Sequence, residues 1–194
     1  MREILDAKQV DCFGESYDSP RNDESISPSL RDLANAKSWQ SKNVSTNLAN
    51  LNDICAEIFA RISGKKCAIF LLQGDIGAGK TTLVQNFAKF VGIDECVTSP
   101  SFSLLHIYGD LRSQDLQDSR AKAQTIYHYD LYNASLEHAL DLGLLDLLEQ
   151  SAIHFVEWGD LHLFEILKNA FENICIIAIS KTKSGRIYAF KEQI

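Results

Sequence analysis

The chain has 194 residues, 45% of them hydrophobic and 23% charged, which suits one domain with a sizeable core. Its formal net charge of -7 argues against autonomous capture of a nucleic-acid backbone, which needs clustered Lys and Arg. The five cysteines, at positions 12, 55, 67, 96 and 175, form no Cys-x-x-Cys pair and are odd in number, as free thiols of a reducing compartment would be. No segment has the length of a membrane span and the start lacks a basic-then-apolar leader, so a cytoplasmic location and no membrane partner are expected.

Residues 1–42 are polar, carry two of the three prolines (Pro20 and Pro28) and show no sustained apolar period. They read as an N-terminal extension, partly disordered, with at most a short helix near Leu30, Leu33 and Ala34. Residues 43–194 read as the folded domain, and removal of residues 1 to about 40 is expected to leave its ligand binding unchanged. Within it, Leu48, Leu51, Ile54, Ile58 and Ile62 recur at helical intervals up to a stop at Gly64. Residues 67–73 form a continuous apolar run, the pattern of a strand buried on both faces. After a glycine-rich loop, Leu83, Val84, Phe87, Phe90 and Val91 mark an amphipathic helix closed by Gly92.

Residues 101–108 predict a strand, 109–124 a polar surface excursion, and 125–131 another strand. Leu136, Leu140, Leu144, Leu147 and Leu148 predict one helix, and 151–157 a strand ending in an acid. A helix over 160–171 then leads to a strand at 174–179, and a turn at Lys183-Ser-Gly185 returns 186–190 as a terminal hairpin. Strands alternating with helices imply an α/β, three-layer P-loop NTPase fold: a mostly parallel sheet with a C-terminal antiparallel hairpin.

The chemistry concentrates at Gly74-Asp-Ile-Gly-Ala-Gly-Lys-Thr81, which matches G-x-x-x-x-G-K-[ST] between a buried strand and an amphipathic helix. Gly74, Gly77 and Gly79 permit torsions that turn successive N–H groups of the loop, which includes Ala78, towards an anion. The helix beginning near Lys80 aims its positive end at the same place. Lys80 supplies a point charge for the outer phosphates and the Thr81 hydroxyl is placed to ligate Mg2+, so ATP with magnesium is the expected cofactor. A second magnesium anchor belongs at the end of a neighbouring strand, where both Asp130 and Glu157 qualify. His154 and Glu157 point to opposite faces of a strand, which argues against a metal pair there.

Four segments in order, Leu72-Gln-Gly-Asp-Ile-Gly-Ala-Gly-Lys-Thr-Thr-Leu83, Thr98-Ser-Pro-Ser-Phe102, Tyr127-His-Tyr-Asp-Leu-Tyr132 and Val156-Glu-Trp-Gly159, resemble the TsaE family. These are the small P-loop ATPases of bacterial tRNA threonylcarbamoyladenosine biosynthesis, and the resemblance runs from about Leu48 onward, apart from 109–124. It implies that residues 77–82, Thr82 included, wrap the phosphates and that Thr81 with Glu157 holds magnesium. It further implies that Asp130 is the acid required for hydrolysis, and that the Thr98 segment is a mobile loop near the γ-phosphate. Trp158 either lies against the nucleotide or simply packs. The chain departs from the family at Ser101, at Asn133 where Arg is common, and at Asp53 where a Thr often seats the nucleotide, so no role is carried to Asn133 or Asp53.

The implied activity is slow ATP hydrolysis required for threonylcarbamoylation of adenosine 37 in tRNAs reading codons that begin with A. The implied partner is the tRNA threonylcarbamoyl-transferase heterodimer, with tRNA met only indirectly. A P-loop small-molecule kinase is the alternative, although 109–124 lacks an arginine-rich lid, holding Arg112, Arg120 and Lys122 among acids. No obvious arginine finger stands near the loop, so a slow intrinsic rate is expected.

Overall fold

The computed structural model describes residues 39–46, 51–93, 97, 98, 100, 103–109 and 125–193. Residues 1–38 of the expected tail, with its short helix, the polar excursion after Gly109, and Ser99, Ser101 and Phe102 lie outside these residues.

Among the described residues, seven strands and five helices follow one another as β1 (Trp39–Thr46), α1 (Leu51–Ile62), β2 (Ala68–Gln73), α2 (Lys80–Phe90), β3 (Leu105–Tyr108) and β4 (Ile126–Asp130). Then come α3 (Leu136–Asp141), α4 (Leu144–Leu148), β5 (Ile153–Glu157), α5 (Leu161–Leu167), β6 (Ile174–Lys181) and β7 (Arg186–Gln193). The strands form one sheet in the order β1-β7-β6-β2-β5-β4-β3. Its centre, β6-β2-β5-β4, is parallel, and antiparallel strands close both edges. The terminal hairpin pairs as expected, whereas β3 runs antiparallel to β4, and β1 pairs with β7 along its whole length. Since β1 starts at Trp39, the sheet begins before position 43, and the polar sequence conceals a strand held by backbone pairing.

Alternation along the strands builds two cores. Phe70, Leu72, Phe155, Cys175 and Ile177 face one layer with Leu51, Ile54 and Ile58 of α1 and Leu83, Val84 and Phe87 of α2. Ile69, Leu71, Val156, Ile174 and Ile176 face the other with Leu144, Leu148, Leu163, Phe164 and Leu167. This is the three-layer α/β arrangement, and the two-sided burial of β2 explains its uninterrupted apolar run. Among the described residues, no helix is long and apolar enough to cross a membrane.

The single helix expected over 136–148 is two. Gly143, at φ +86°, ends α3 and starts α4, so the leucine periodicity spans a break that glycine makes feasible. The helix expected over 160–171 is shorter, with Asp160 capping α5 by accepting the Leu163 N–H at 2.8 Å.

Candidate functional site

β2 ends at Gln73, β4 at Asp130 and β5 at Glu157, so the carboxyl ends of three adjacent parallel strands open into one region. There the loop from Gly74 to Gly79 turns the chain into α2. Gly74 has φ +146°, and a Cβ on it would stand 2.5 Å from the carbonyl oxygen of Ile179, so the loop can lie against β6 only with glycine there. Gly79, in the left-handed region, precedes α2 with no side-chain cap, and the first turn of the helix carries no acid. Its free N–H groups and positive dipole end therefore face the cleft, as an anion site requires.

Lys80 is buried. Its Nζ donates to the carbonyls of Gly74 at 2.8 Å and Asp75 at 3.2 Å, and sits 3.6 Å from the centre of the Trp158 ring. Burial draws its pKa down, opposed by the negative charges of Glu157, Asp130 and Asp75. The ammonium is held by carbonyls and an aromatic face and, among the described residues, forms no ion pair, which leaves its charge available to an incoming anion. Trp158 itself has φ +64°, an uncommon torsion for a bulky residue, and its ring lies 4.8 Å from that of Tyr132.

The acids share a face. Residues 126, 128 and 130 point from β4 towards the α2 layer, as do 153, 155 and 157 from β5, and Asp130 is the register partner of Glu157. Thr81 Oγ1 donates to Oε1 of Glu157 at 2.6 Å, and Nε2 of His128 lies 2.8 Å from the same oxygen. Asp130 accepts the backbone N–H of Tyr132 at 3.0 Å. A cleft of about 330 Å³ brings together Gly77, Gly79, Lys80, Thr81, Thr82, Asp130 and Glu157, with Tyr132 and Trp158 in its wall. Gly74 and Ala78 support the loop from beneath.

Sequence reasoning missed two contributors. His128, wholly buried, stands two residues before Asp130 on one strand, a spacing that alone places both on one face. Arg186, far away in the chain, also lines the cleft and donates Nε to the Ala78 carbonyl. The structure thus places an arginine beside the loop, because the β6–β7 hairpin folds back onto it. His154 points away as expected, contacting Tyr129 and the Gln150 carbonyl in the other layer. Of the Thr98 segment, Thr98 is tied to Tyr108, whose hydroxyl donates to its carbonyl at 2.9 Å.

Positive-φ glycines, an uncapped helix start, a buried cation and adjacent hydroxyl and carboxylate oxygens fit a polyphosphate carrying a hard divalent ion. Among the described residues, no group of three or more His, Cys, Asp or Glu converges to hold a metal ion by itself.

Residues 45–187 match the model of the family described as threonylcarbamoyl adenosine biosynthesis protein TsaE. The chain belongs to the TsaE family. A TsaE protein of Treponema pallidum is 37% identical over 95 residues, covering 48% of this chain and 61% of the relative. The Bacillus subtilis TsaE protein is 34% identical over 97 residues, covering 50% and 52%, and the Haemophilus influenzae one is 30% identical over 106 residues, covering 54% and 60%. The chain thus spans between about half and three fifths of these curated TsaE relatives. A crystal structure of Bacillus subtilis YdiB shares the fold, with a TM-score of 0.54 and 22% identity over 80% of this chain and 86% of that one.

Proposed function

We propose that this TsaE-family protein binds MgATP in the cleft, hydrolyses it slowly, and is required for threonylcarbamoylation of adenosine 37 in tRNAs that read codons beginning with A. The observation that carries the nucleotide reading is the convergence of Lys80, Thr81, Asp130 and Glu157 at the open N-terminus of α2. The tRNA reading rests on family membership and on the names of the relatives, which are tRNA threonylcarbamoyladenosine biosynthesis proteins.

In this reading Gly74, Gly77, Ala78, Gly79 and Thr82 form the phosphate cradle, and Lys80 neutralises charge on the outer phosphates. Thr81 and Glu157 hold magnesium, which supplies charge neutralisation across the phosphates when bound. Asp130, held by the Tyr132 amide, orients or activates the attacking water. Trp158 stacks on the Lys80 ammonium and fixes its position.

The protein acts on the tRNA threonylcarbamoyl-transferase heterodimer and transfers no threonylcarbamoyl group itself. The net charge of -7 argues that tRNA is met through that complex, in the cytoplasm. The test is steady-state phosphate release with ATP alone, with bare tRNA, with the heterodimer, and with small-molecule acceptors. Stimulation by the heterodimer alone is expected; strong stimulation by a small acceptor that becomes phosphorylated would make the protein a kinase.

A further inference from the structure

The β6–β7 hairpin returns to the phosphate loop from the far end of the chain. Lys181, the last residue of β6, and Arg186, the first of β7, are register partners. Lys181 Nζ donates to the Ile76 carbonyl at 3.1 Å, and Arg186 Nε donates to the Ala78 carbonyl. The packing is close as well. A Cβ on Gly79 would lie 3.0 Å from Arg186 Nε and 3.6 Å from its Cζ, and one on Gly77 would lie 3.3 Å from Lys181 Nζ.

In a trans peptide the C=O and the following N–H point in opposite directions, and none of the described peptides is cis. A cation that holds the Ile76 carbonyl therefore turns the Gly77 N–H to the other side, and one that holds the Ala78 carbonyl does the same for Gly79. Both amides belong to glycines at positive φ (+70° and +110°), whose peptide planes are the least restrained by side chains. An anion nest needs such N–H groups fixed before the ligand arrives, because ordering them on binding consumes affinity.

We propose that Arg186, assisted by Lys181, is a positioning residue that presets the Gly77 and Gly79 amides for a nucleotide polyphosphate. The inference rests on the reading that the cleft holds a nucleoside di- or triphosphate. Arg186 carries most of the effect: it is half-buried in the cleft wall, whereas Lys181 is exposed and its charge is better screened.

The test combines amide NMR of the nucleotide-free protein with titrations of ATP, ADP and adenosine into wild type, Arg186→Met, Arg186→Lys, Lys181→Met and Lys183→Met. Lys183 sits exposed on the same turn and has no hydrogen bond to the loop among the described residues, so its variant controls for the loss of one charge. Arg186→Met is expected to shift the Gly79 amide resonance before ligand is added. It should weaken ATP and ADP by about tenfold or more, as loss of a charge-assisted contact does, with adenosine unchanged. Arg186→Lys, which keeps a donor, should recover part of that affinity, Lys181→Met should show a smaller loss, and Lys183→Met none.

Unchanged ADP affinity in Arg186→Met would overturn the inference, as would an equal loss in Lys183→Met. A loss of affinity with an unmoved Gly79 amide would also overturn it, since the guanidinium would then act by direct contact. Should Arg186→Met fail to fold, Arg186→Lys and Lys181→Met decide by the same amide criterion. Wild-type protein that binds neither ATP nor ADP would instead contradict the underlying reading of the cleft.

Discussion

His128 donates its Nε2 hydrogen to Oε1 of Glu157 at 2.8 Å, and that oxygen also receives the Thr81 hydroxyl at 2.6 Å. A carboxylate only accepts, so Nε2 is the donor, and among the described residues Nδ1 is buried with no hydrogen-bond partner. The arrangement fixes the rotamer of the carboxylate that faces magnesium in the proposed site. His128→Asn is expected to weaken magnesium affinity about tenfold, the usual scale for a residue that orients a metal ligand. Nucleotide affinity in the presence of a chelator should be unchanged. Magnesium titrations of the nucleotide complex check this, and an equal loss with and without magnesium would assign His128 to the fold alone.

Asp130 and Glu157 are register partners across β4 and β5, Asp130 accepting the Tyr132 amide and Glu157 the Thr81 hydroxyl, and their alanine variants should differ in kind. Glu157→Ala is expected to reduce the magnesium dependence of binding. Asp130→Ala should lower hydrolysis by about a hundredfold or more while nucleotide affinity changes little, as for a group acting mainly in the transition state. Parallel binding and turnover measurements on both variants check the split. Equal loss of affinity in the two would reverse the assignment.

Gly74 stands where any side chain collides with backbone. At φ +146°, an added Cβ would lie 2.5 Å from the Ile179 carbonyl oxygen and 3.0 Å from Ala78 Cβ. Gly74→Ala should therefore destabilise the protein by about 2 kcal/mol or more. Gly64→Ala, at φ +78° with nothing within 4 Å, should cost only about 1 kcal/mol, the torsional term alone. Urea unfolding of the two variants measures the difference.

His154 is buried against Tyr129, and burial pushes its pKa down to about 4 despite the bond to the Gln150 carbonyl. Because the folded value lies below the ordinary 6.5, the unfolded chain takes up this proton first as pH falls. The contribution of neutral His154 is complete above pH 6.5 and is lost progressively as pH drops to about 4. The loss is of order 3 kcal/mol if the shift is fully expressed in stability. His154→Gln should flatten the pH dependence of unfolding in this window while leaving nucleotide affinity at neutral pH unchanged.

The placement of the glycine-rich loop, the strand-end positions of both acids and the parallel centre were legible in the sequence because each leaves a local mark. The glycines and lysine stand in fixed spacing, and Glu157 closes a run of apolar residues. β1 left none, since Trp39–Thr46 is an edge strand of mostly polar sequence, paired with β7 along its backbone. The break at Gly143 was hidden by leucines that keep helical spacing across it. Arg186 was invisible for a different reason: its place in the cleft is set by a long-range pairing, β7 with β6, that brings residues 108 positions apart into one hydrogen bond. His128 could have been found, since its two-residue offset from Asp130 on a strand already fixes the face it shares.

The account turns on whether the loop from Gly74 to Thr81 holds MgATP, and calorimetric titration of MgATP into wild type and Lys80→Ala tests that directly. Among the described residues, Lys80 Nζ is hydrogen-bonded to loop carbonyls and lies over the Trp158 ring, so its removal takes away charge and little packing. The account predicts saturable binding to wild type and a loss of about a hundredfold or more in a Lys80→Ala protein that melts cooperatively near the wild-type temperature. Equal affinity in a folded Lys80→Ala variant would contradict it.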